Sequence, residues 1–236
     1  MKNKILIFSA TFNESENIKD LLNSIDKLNL ELDILIIDDN SPDKTSDIIK
    51  QYALEKSNIK LIVRNKKEGL DTAHKFAFKY SIENNYEYLI TLDADLSHDP
   101  NEIPIFIKEL KNNDFVIGSR YMKGGGCNMK GIRLFLSYFG NRFIQFILNI
   151  NCNEFTTSYR GFDLRRFKSF NLDNVSSKGY SFFMETVIRI NRMGHKSYEI
   201  PIHFRNREFG VSKIPKVEIL RTLSNVFKLF LKKNHK

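Results

Sequence analysis

Two carboxylates stand two residues apart in Leu92-Asp93-Ala94-Asp95, at the end of an apolar run that starts at Tyr88. In extended chain such residues face the same side, so both can converge at the carboxyl edge of a strand. Side by side they repel unless a cation or a proton lies between them. Their hard oxygens suit Mg²⁺ or Mn²⁺, above all when substrate phosphates complete the coordination. Two plainer arrangements use the same residues: Asp95 capping a following helix, or both carboxylates solvated. A second acidic pair, Asp38-Asp39, leads into the turn Asn40-Ser41-Pro42-Asp43. Adjacent residues face opposite ways, so one of the pair can pin the loop while the other meets a ligand. A capped strand-to-helix connection with no ligand is the alternative. A third polar string, Ala10-Thr11-Phe12-Asn13-Glu14, ends the first apolar run. Three strands that deliver polar residues to one sheet edge make what a nucleotide site requires.

The elements that must position these groups are legible as periodicity. Residues 5–9, 34–38, 59–64, 88–93 and 115–118 are continuous apolar runs of strand length. Between them, 16–28, 44–54, 72–84 and 102–112 carry apolar residues at helical spacing, with Ser15 and Asp43 placed to cap the first two. Such alternation predicts an α/β fold, a mostly parallel sheet flanked by helices, with ligands at the carboxyl ends of the strands. After Gly124-Gly125-Gly126 the pattern changes. Helices are expected over 134–149 and 182–193, and a strand over 197–204. From about 215 to 233 a helical stripe of Val217, Leu220, Leu223, Val226, Phe227, Phe230 and Leu231 lies beside several lysines. That stripe suits either the interface of an anionic membrane or docking on the rest of the chain.

The 236 residues are 42% hydrophobic and 28% charged, enough for one substantial packed domain. A net charge of +9 favours an anionic partner: a phosphate-rich substrate, an acidic membrane surface or nucleic acid. A nucleic-acid-binding module lacks support, since neither a helix-turn-helix pattern nor a basic strand with interleaved aromatics is present. Cys127 and Cys152 are too few for a disulfide framework and read as ordinary thiols. No apolar stretch is long enough to span a membrane; the run 134–150 is interrupted by Asn141, Arg142 and Gln145.

Taken together, Thr11-Phe12-Asn13-Glu14, Asp38-Asp39-Asn40-Ser41-Pro42-Asp43, Asp93-Ala94-Asp95-Leu96-Ser97-His98, Gly118-Ser119-Arg120-Tyr121 and Gly210-Val211-Ser212-Lys213 resemble, in family order, the glycosyltransferase family 2 enzymes, and among them the dolichol-phosphate mannosyltransferase group. The resemblance implies a glycosyltransferase-A fold, expected over 1–213, and the helical stripe reads as a C-terminal amphipathic appendage over 214–236. It implies a nucleoside pocket lined by Ala10, Phe12, Glu14, Ile37 and Asp39. Asp93, Asp95 and Ser97 would hold Mg²⁺ or Mn²⁺, with Ala94 beside them at the donor diphosphate. Arg120, Arg207 and Lys213 would face phosphates. Arg133 and Ser137, in an Arg-x-x-x-Ser-x-x-x-Asn string ending at Asn141, resemble the acceptor-phosphate residues.

The activity so implied is inverting transfer of a sugar, mannose from GDP-mannose foremost, to a polyprenyl or dolichyl phosphate. Catalysis would rest on Asp95, Arg120 and Arg133. A phosphate monoester is already an anion near neutral pH and needs little from a general base, whereas a sugar hydroxyl acceptor needs a positioned carboxylate. For that alternative, surface polysaccharide or glycolipid assembly, Asp163 and Glu185 are the candidates. The lipid acceptor implies a peripheral protein on the cytoplasmic face, meeting an anionic membrane surface directly or through a small membrane-anchoring partner. Phe135, Tyr138, Phe139, Phe143 and Phe146 would then sit at lipid, or else pack in the core. The chain departs from the family pattern at Ala10 (usually Pro), at Asp71 in Gly69-Leu70-Asp71 (usually Gly) and at Asp163 after Gly161-Phe162 (usually basic).

Overall fold

In a computed structural model the described residues are 4–167 and 170–205, with Arg133 and Tyr180 described by backbone alone. Arg207, Lys213 and the expected C-terminal helix lie outside them. The first half alternates as expected: β1 (Ile5–Thr11), α1 (Ile18–Asp26), β2 (Asp33–Asp38), α2 (Thr45–Glu55), β3 (Ile59–Val63), α3 (Leu70–Glu83), β4 (Tyr88–Thr91), α4 (Ile103–Leu110) and β5 (Phe115–Ser119). The second half adds β6 (Gly126–Cys127), α5 (Gly131–Leu148), β7 (Arg160–Asp163), α6 (Tyr180–Arg192), β8 (Ser197–Pro201) and β9 (His203–Phe204).

The sheet runs in the order β3-β2-β1-β4-β7-β5-β8. Its strands are parallel except β7, which runs antiparallel to both β4 and β5. Side chains alternate across it. Leu6, Phe8, Leu35 and Ile37 enter one apolar cluster with residues of α3 and α6, while Ile5, Ile7, Ile34 and Ile36 enter another with residues of α1 and α4. Burial on both faces explains why these strands read as unbroken apolar runs.

Two local expectations change, and one strand was not foreseen. Ser15 does not cap α1, which starts at Ile18 behind Asn17; the Ser15 N–H instead donates to Asp43 Oδ2 at 2.9 Å. The single strand expected over 197–204 breaks after Pro201, and β9 leaves the main sheet to pair with β6. The strand β7 had no apolar run to announce it: four residues, Arg160-Gly161-Phe162-Asp163, charged at both ends. Gly161 admits it between β4 and β5, because a Cβ there would lie 2.9 Å from Leu110 Cδ1 on the helix above.

Candidate active site

Because β1, β2, β4 and β5 run one way and β7 the other, four carboxyl ends and the start of β7 share one edge. The register fixes who meets whom. Thr11 stands opposite Asp38, and Thr91 opposite Arg160, so Ser158 arrives beside Asp93. Ser158 Oγ donates to Asp93 Oδ1 at 2.5 Å, and Thr91 Oγ1 donates to the Ser158 carbonyl. The turn that follows is held from within. Asp95 Oδ1 accepts from Ser97 N–H at 3.1 Å and from Ser97 Oγ at 2.5 Å, with Leu96 in the left-handed region at φ 60°. His98 is buried behind the turn. Its Nδ1 accepts from the Asp93 N–H, which puts the ring proton on Nε2, 3.3 Å from Thr157 Oγ1. Burial lowers the His98 pKa, and the charges of Asp93 and Asp95 oppose that only in part.

Asp95 caps no helix: the next helical turn, at Pro100–Glu102, is capped by Asp99. The Asp93 side chain is 31% exposed, and Asp95 is buried, so the pair is not simply solvated. Among the described residues no group of three or more His, Cys, Asp or Glu could hold a metal alone. Two carboxylates at a strand end fit a hard divalent ion that takes its remaining ligands from phosphate and water. Ser97, expected as a ligand, is fully buried with its hydroxyl turned to Asp95, and Ala94 is buried between the two aspartates.

On the β1–β3 side the two aspartates divide as adjacent residues must. Asp38 is fully buried and accepts from Thr11 Oγ1, Ser41 N–H and Ser41 Oγ, so it pins the loop. Asp39 turns the other way and is ion-paired with Arg64, while its Oδ2 accepts from the Gly69 N–H. Arg64 also donates to Thr72 Oγ1 and the Gly69 carbonyl. Gly69 adopts φ +99°, closing the turn into α3 over Asp71, which is itself buried. Phe12 carries Lys67 Nζ 4.1 Å above its ring, and Glu14 Oε2 accepts from Asn17. Ala10 is half-buried. Ile37 is 1% exposed and belongs to the core, so it offers a ligand no side-chain surface.

On the β5 side Arg120 is no surface charge. Its Nε and Nη2 donate to Glu154 Oε2 and Oε1 at 2.7 and 2.8 Å, and Nη2 also to Thr156 Oγ1. Burial would raise the Glu154 pKa, but the Arg120 charge and its hydrogen bonds outweigh that and hold it below the ordinary range. Ser137 Oγ accepts from the Tyr121 hydroxyl at 2.6 Å, which brings α5 beside the Arg120 loop. Arg133 lies one turn before Ser137 on α5. Asn141 is a structural member of its string: buried, its Oδ1 accepts from the Phe155 N–H.

Two expectations need correction. Asp163 pairs across the sheet with Tyr88, at the amino end of β4, far from the edge that carries Asp93, and it is ion-paired with Arg165 and Arg166. Glu185 is buried on α6 with Ser177 N–H on one oxygen and Arg189 on the other. Neither is placed as a general base. The basic residue near that position is Arg160, buried, with Nε and Nη2 donating to backbone carbonyls of Thr157 and Phe155. The faces of α5 also divide, and of its aromatics only Tyr138 is half-buried. Asn141, Ile144 and Leu148 face inward, whereas Ile132, Phe135, Leu136, Phe139, Phe143 and Phe146 are exposed, Phe146 to 85%.

Sequence reasoning gave no role to Arg64, His98, Glu154 or Ser158. His98 stood within the Asp93–His98 string, and Arg64 was the last residue of an expected strand; Glu154 and Ser158 carried no local signal.

Fold and edge define an α/β protein of the glycosyltransferase-A type. A likeness to solved structures agrees: the mannosyltransferase from Pyrobaculum calidifontis in complex with GDP-Man and Mn²⁺ superposes with a TM-score of 0.60 at 15% identity, over 98% of this chain and 65% of that one. Glucosyl-3-phosphoglycerate synthase from Mycobacterium tuberculosis, with Mn²⁺, UDP-Glc and glycerol 3-phosphate, gives 0.64 at 13% identity, over 96% and 79%. The family profile for glycosyl transferase family 2 matches residues 7–170. The undecaprenyl-phosphate mannosyltransferase of Micrococcus luteus is 33% identical over 89% of this chain and 87% of its own. The polyprenol monophosphomannose synthase of Mycolicibacterium smegmatis is 32% identical over 89% and 81%. The chain belongs to glycosyl transferase family 2.

Proposed function

We propose that the protein transfers mannose from GDP-mannose, with inversion, to the phosphate of a polyprenyl or dolichyl phosphate. The observation that carries this reading is Arg120 with Glu154. Arg120 supplies a cation, and the carboxylate bound to it is buried, hydrogen-bonded on both oxygens and made less basic by that cation, so it is a poor proton acceptor for a hydroxyl. A phosphate acceptor needs the first and not a base. The names of the two bacterial relatives point to the same lipid-phosphate acceptor.

An oxygen of the acceptor phosphate attacks the anomeric carbon as the bond to the diphosphate breaks, and GDP leaves with that electron pair. Arg120 and Arg133 orient the attacking phosphate, with Ser137 at its side. Phe12, Glu14, Asp39 and the backbone at Ala10 and Ile37 line the nucleoside site. Asp93 and Asp95, oriented by Ser158 and Ser97, would hold Mg²⁺ or Mn²⁺ with the diphosphate, and Ala94 keeps their spacing. The metal would supply charge neutralisation at the diphosphate. Arg207 and Lys213, which lie outside the described residues, would add to that neutralisation.

The acceptor's lipid tail requires a membrane, and no helix among the described residues is long and apolar enough to cross one. The exposed phenylalanine face of α5 meets an anionic surface peripherally, on the cytoplasmic face. Between residues 121 and 153 no Asp or Glu occurs, while Lys123, Lys130, Arg133 and Arg142 do. Apolar side chains beside unopposed cations are what an anionic interface selects.

Two measurements test this. GDP-mannose with polyprenyl phosphate yields organic-extractable mannose, and the free polyprenol yields none; faster transfer to a sugar hydroxyl refutes the assignment. The protein floats with phosphatidylglycerol vesicles at low salt, and Phe139→Ser with Phe143→Ser abolishes flotation. A full-length protein that never floats makes a membrane-anchoring partner the better explanation.

A further inference from the structure

The segment 152–158 joins parts of the molecule that no short motif connects. Cys152 Sγ donates to the Glu154 carbonyl, and the Phe155 N–H to Asn141 on α5. Asn153 donates to Glu199 on β8 and accepts from Arg142 on α5. Thr157 meets His98, and Ser158 meets Asp93. In the middle stands Glu154, fully buried, with both oxygens engaged. One of them also accepts from Thr156 N–H and Oγ1.

We infer that Glu154 is a positioning residue for acceptor binding: it fixes the Arg120 guanidinium, and through its segment ties that guanidinium to α5 and to Asp93. This rests on the reading of Arg120 as an acceptor-phosphate ligand. An arginine side chain has many rotamers, and one that must meet a phosphate at a set angle gains from having them removed beforehand. Glu154 takes the Nε–Nη2 edge of the fork, with Thr156 on the outer hydrogen of Nη2, which leaves Nη1 on the edge away from the carboxylate. Tyr121 and Phe204 pack on the guanidinium at 5.0 and 5.2 Å from their ring centres, so it cannot swing freely. A bond network that also reaches Asp93 sets the distance between the two reactants from one short piece of chain.

The test is a double-mutant cycle of Glu154→Gln and Arg120→Lys in the full-length protein, with kcat and KM measured for each substrate separately. Arg120→Lys raises the acceptor KM. Glu154→Gln raises it about tenfold and leaves the donor KM within about twofold, and the double variant is no worse than Arg120→Lys alone, because residues acting as one unit are not additive. If Arg120→Lys raises the acceptor KM but Glu154→Gln adds to it independently, or moves the donor KM equally, Glu154 is only a structural residue. If Arg120→Lys leaves the acceptor KM unchanged, the reading of Arg120 falls instead. Should Glu154→Gln not fold, Thr156→Val loosens the same pair more gently: a smaller rise confined to the acceptor KM supports the inference, and none overturns it.

Discussion

If Asp93 and Asp95 hold the metal as proposed, replacing Ser158 by Ala removes one hydroxyl from Asp93 Oδ1 and leaves the carboxylates themselves in place. The hydrogen bond lost is 2.5 Å long and made to a carboxylate, a class worth about 1.5–3 kcal/mol when buried. Asp93 is 31% exposed, so water replaces part of what is lost and the lower end applies, about 1.5 kcal/mol. That corresponds to roughly a tenfold weaker hold on the metal, within the ~10–100-fold range for partners that orient a ligand. The assay is a Mn²⁺ titration of turnover at saturating GDP-mannose, beside a Mn²⁺ titration of GDP-dependent thermal protection. Both half-saturation points should rise about tenfold, and excess Mn²⁺ should restore most of kcat, since the carboxylates themselves remain. Unchanged half-saturation in both titrations refutes the reasoning, as does a fall in kcat that no metal concentration restores.

Asp95→Asn removes a charge from the same turn and should cost more than the ~100-fold limit for orienting partners, with the fold intact by circular dichroism; near-normal turnover at saturating Mn²⁺ would sink the metal assignment. Arg133→Ala should raise the acceptor KM by roughly 10- to 100-fold, the worth of one charge-assisted bond to phosphate, and leave the donor KM alone; the reverse pattern gives Arg133 another role. His74 is caged by Phe8 and Phe183 at 5.0 Å and Phe182 at 5.9 Å, and burial, aided by the Arg160 charge, pushes its pKa from 6.5 down to about 3. Below pH 6.5 the unfolded chain therefore binds a proton that the native state refuses, and stability falls as pH drops toward 3. Between pH 6.5 and 5 the loss is about 2 kcal/mol, read by urea unfolding; His74→Phe should flatten that part of the profile, and an unchanged slope would refute it.

Whatever a strand or helix owes to its own residues was legible locally. The apolar runs that became β1 to β5 are buried on both faces, so their composition alone marks them. Polar strings directly after those runs had to emerge at one edge once the strands were parallel. Hence the edge position of Asp39, Asp93 and Asp95 followed from the strands themselves, whereas Arg120 was singled out by the family resemblance. Asp38 and Asp39 divide between loop and cleft for the same local reason, the alternation of neighbours.

What acts across long stretches of sequence was not legible. Ser158 meets Asp93 sixty-five positions away, and Glu154 meets Arg120 thirty-four away; no spacing rule links such pairs, because each contact exists only after β7 has inserted. The direction of β7 decides Asp163 as well. An antiparallel strand enters where its neighbours leave, so the three steps from Arg160 to Asp163 carry the chain about 10 Å from the edge that bears Asp93 to the opposite one. Read as sequence, Asp163 stood as a possible base. Read in the sheet, its distance from Asp93 forbids it, and the same antiparallel strand that carries Asp163 away is what presents Ser158 to Asp93.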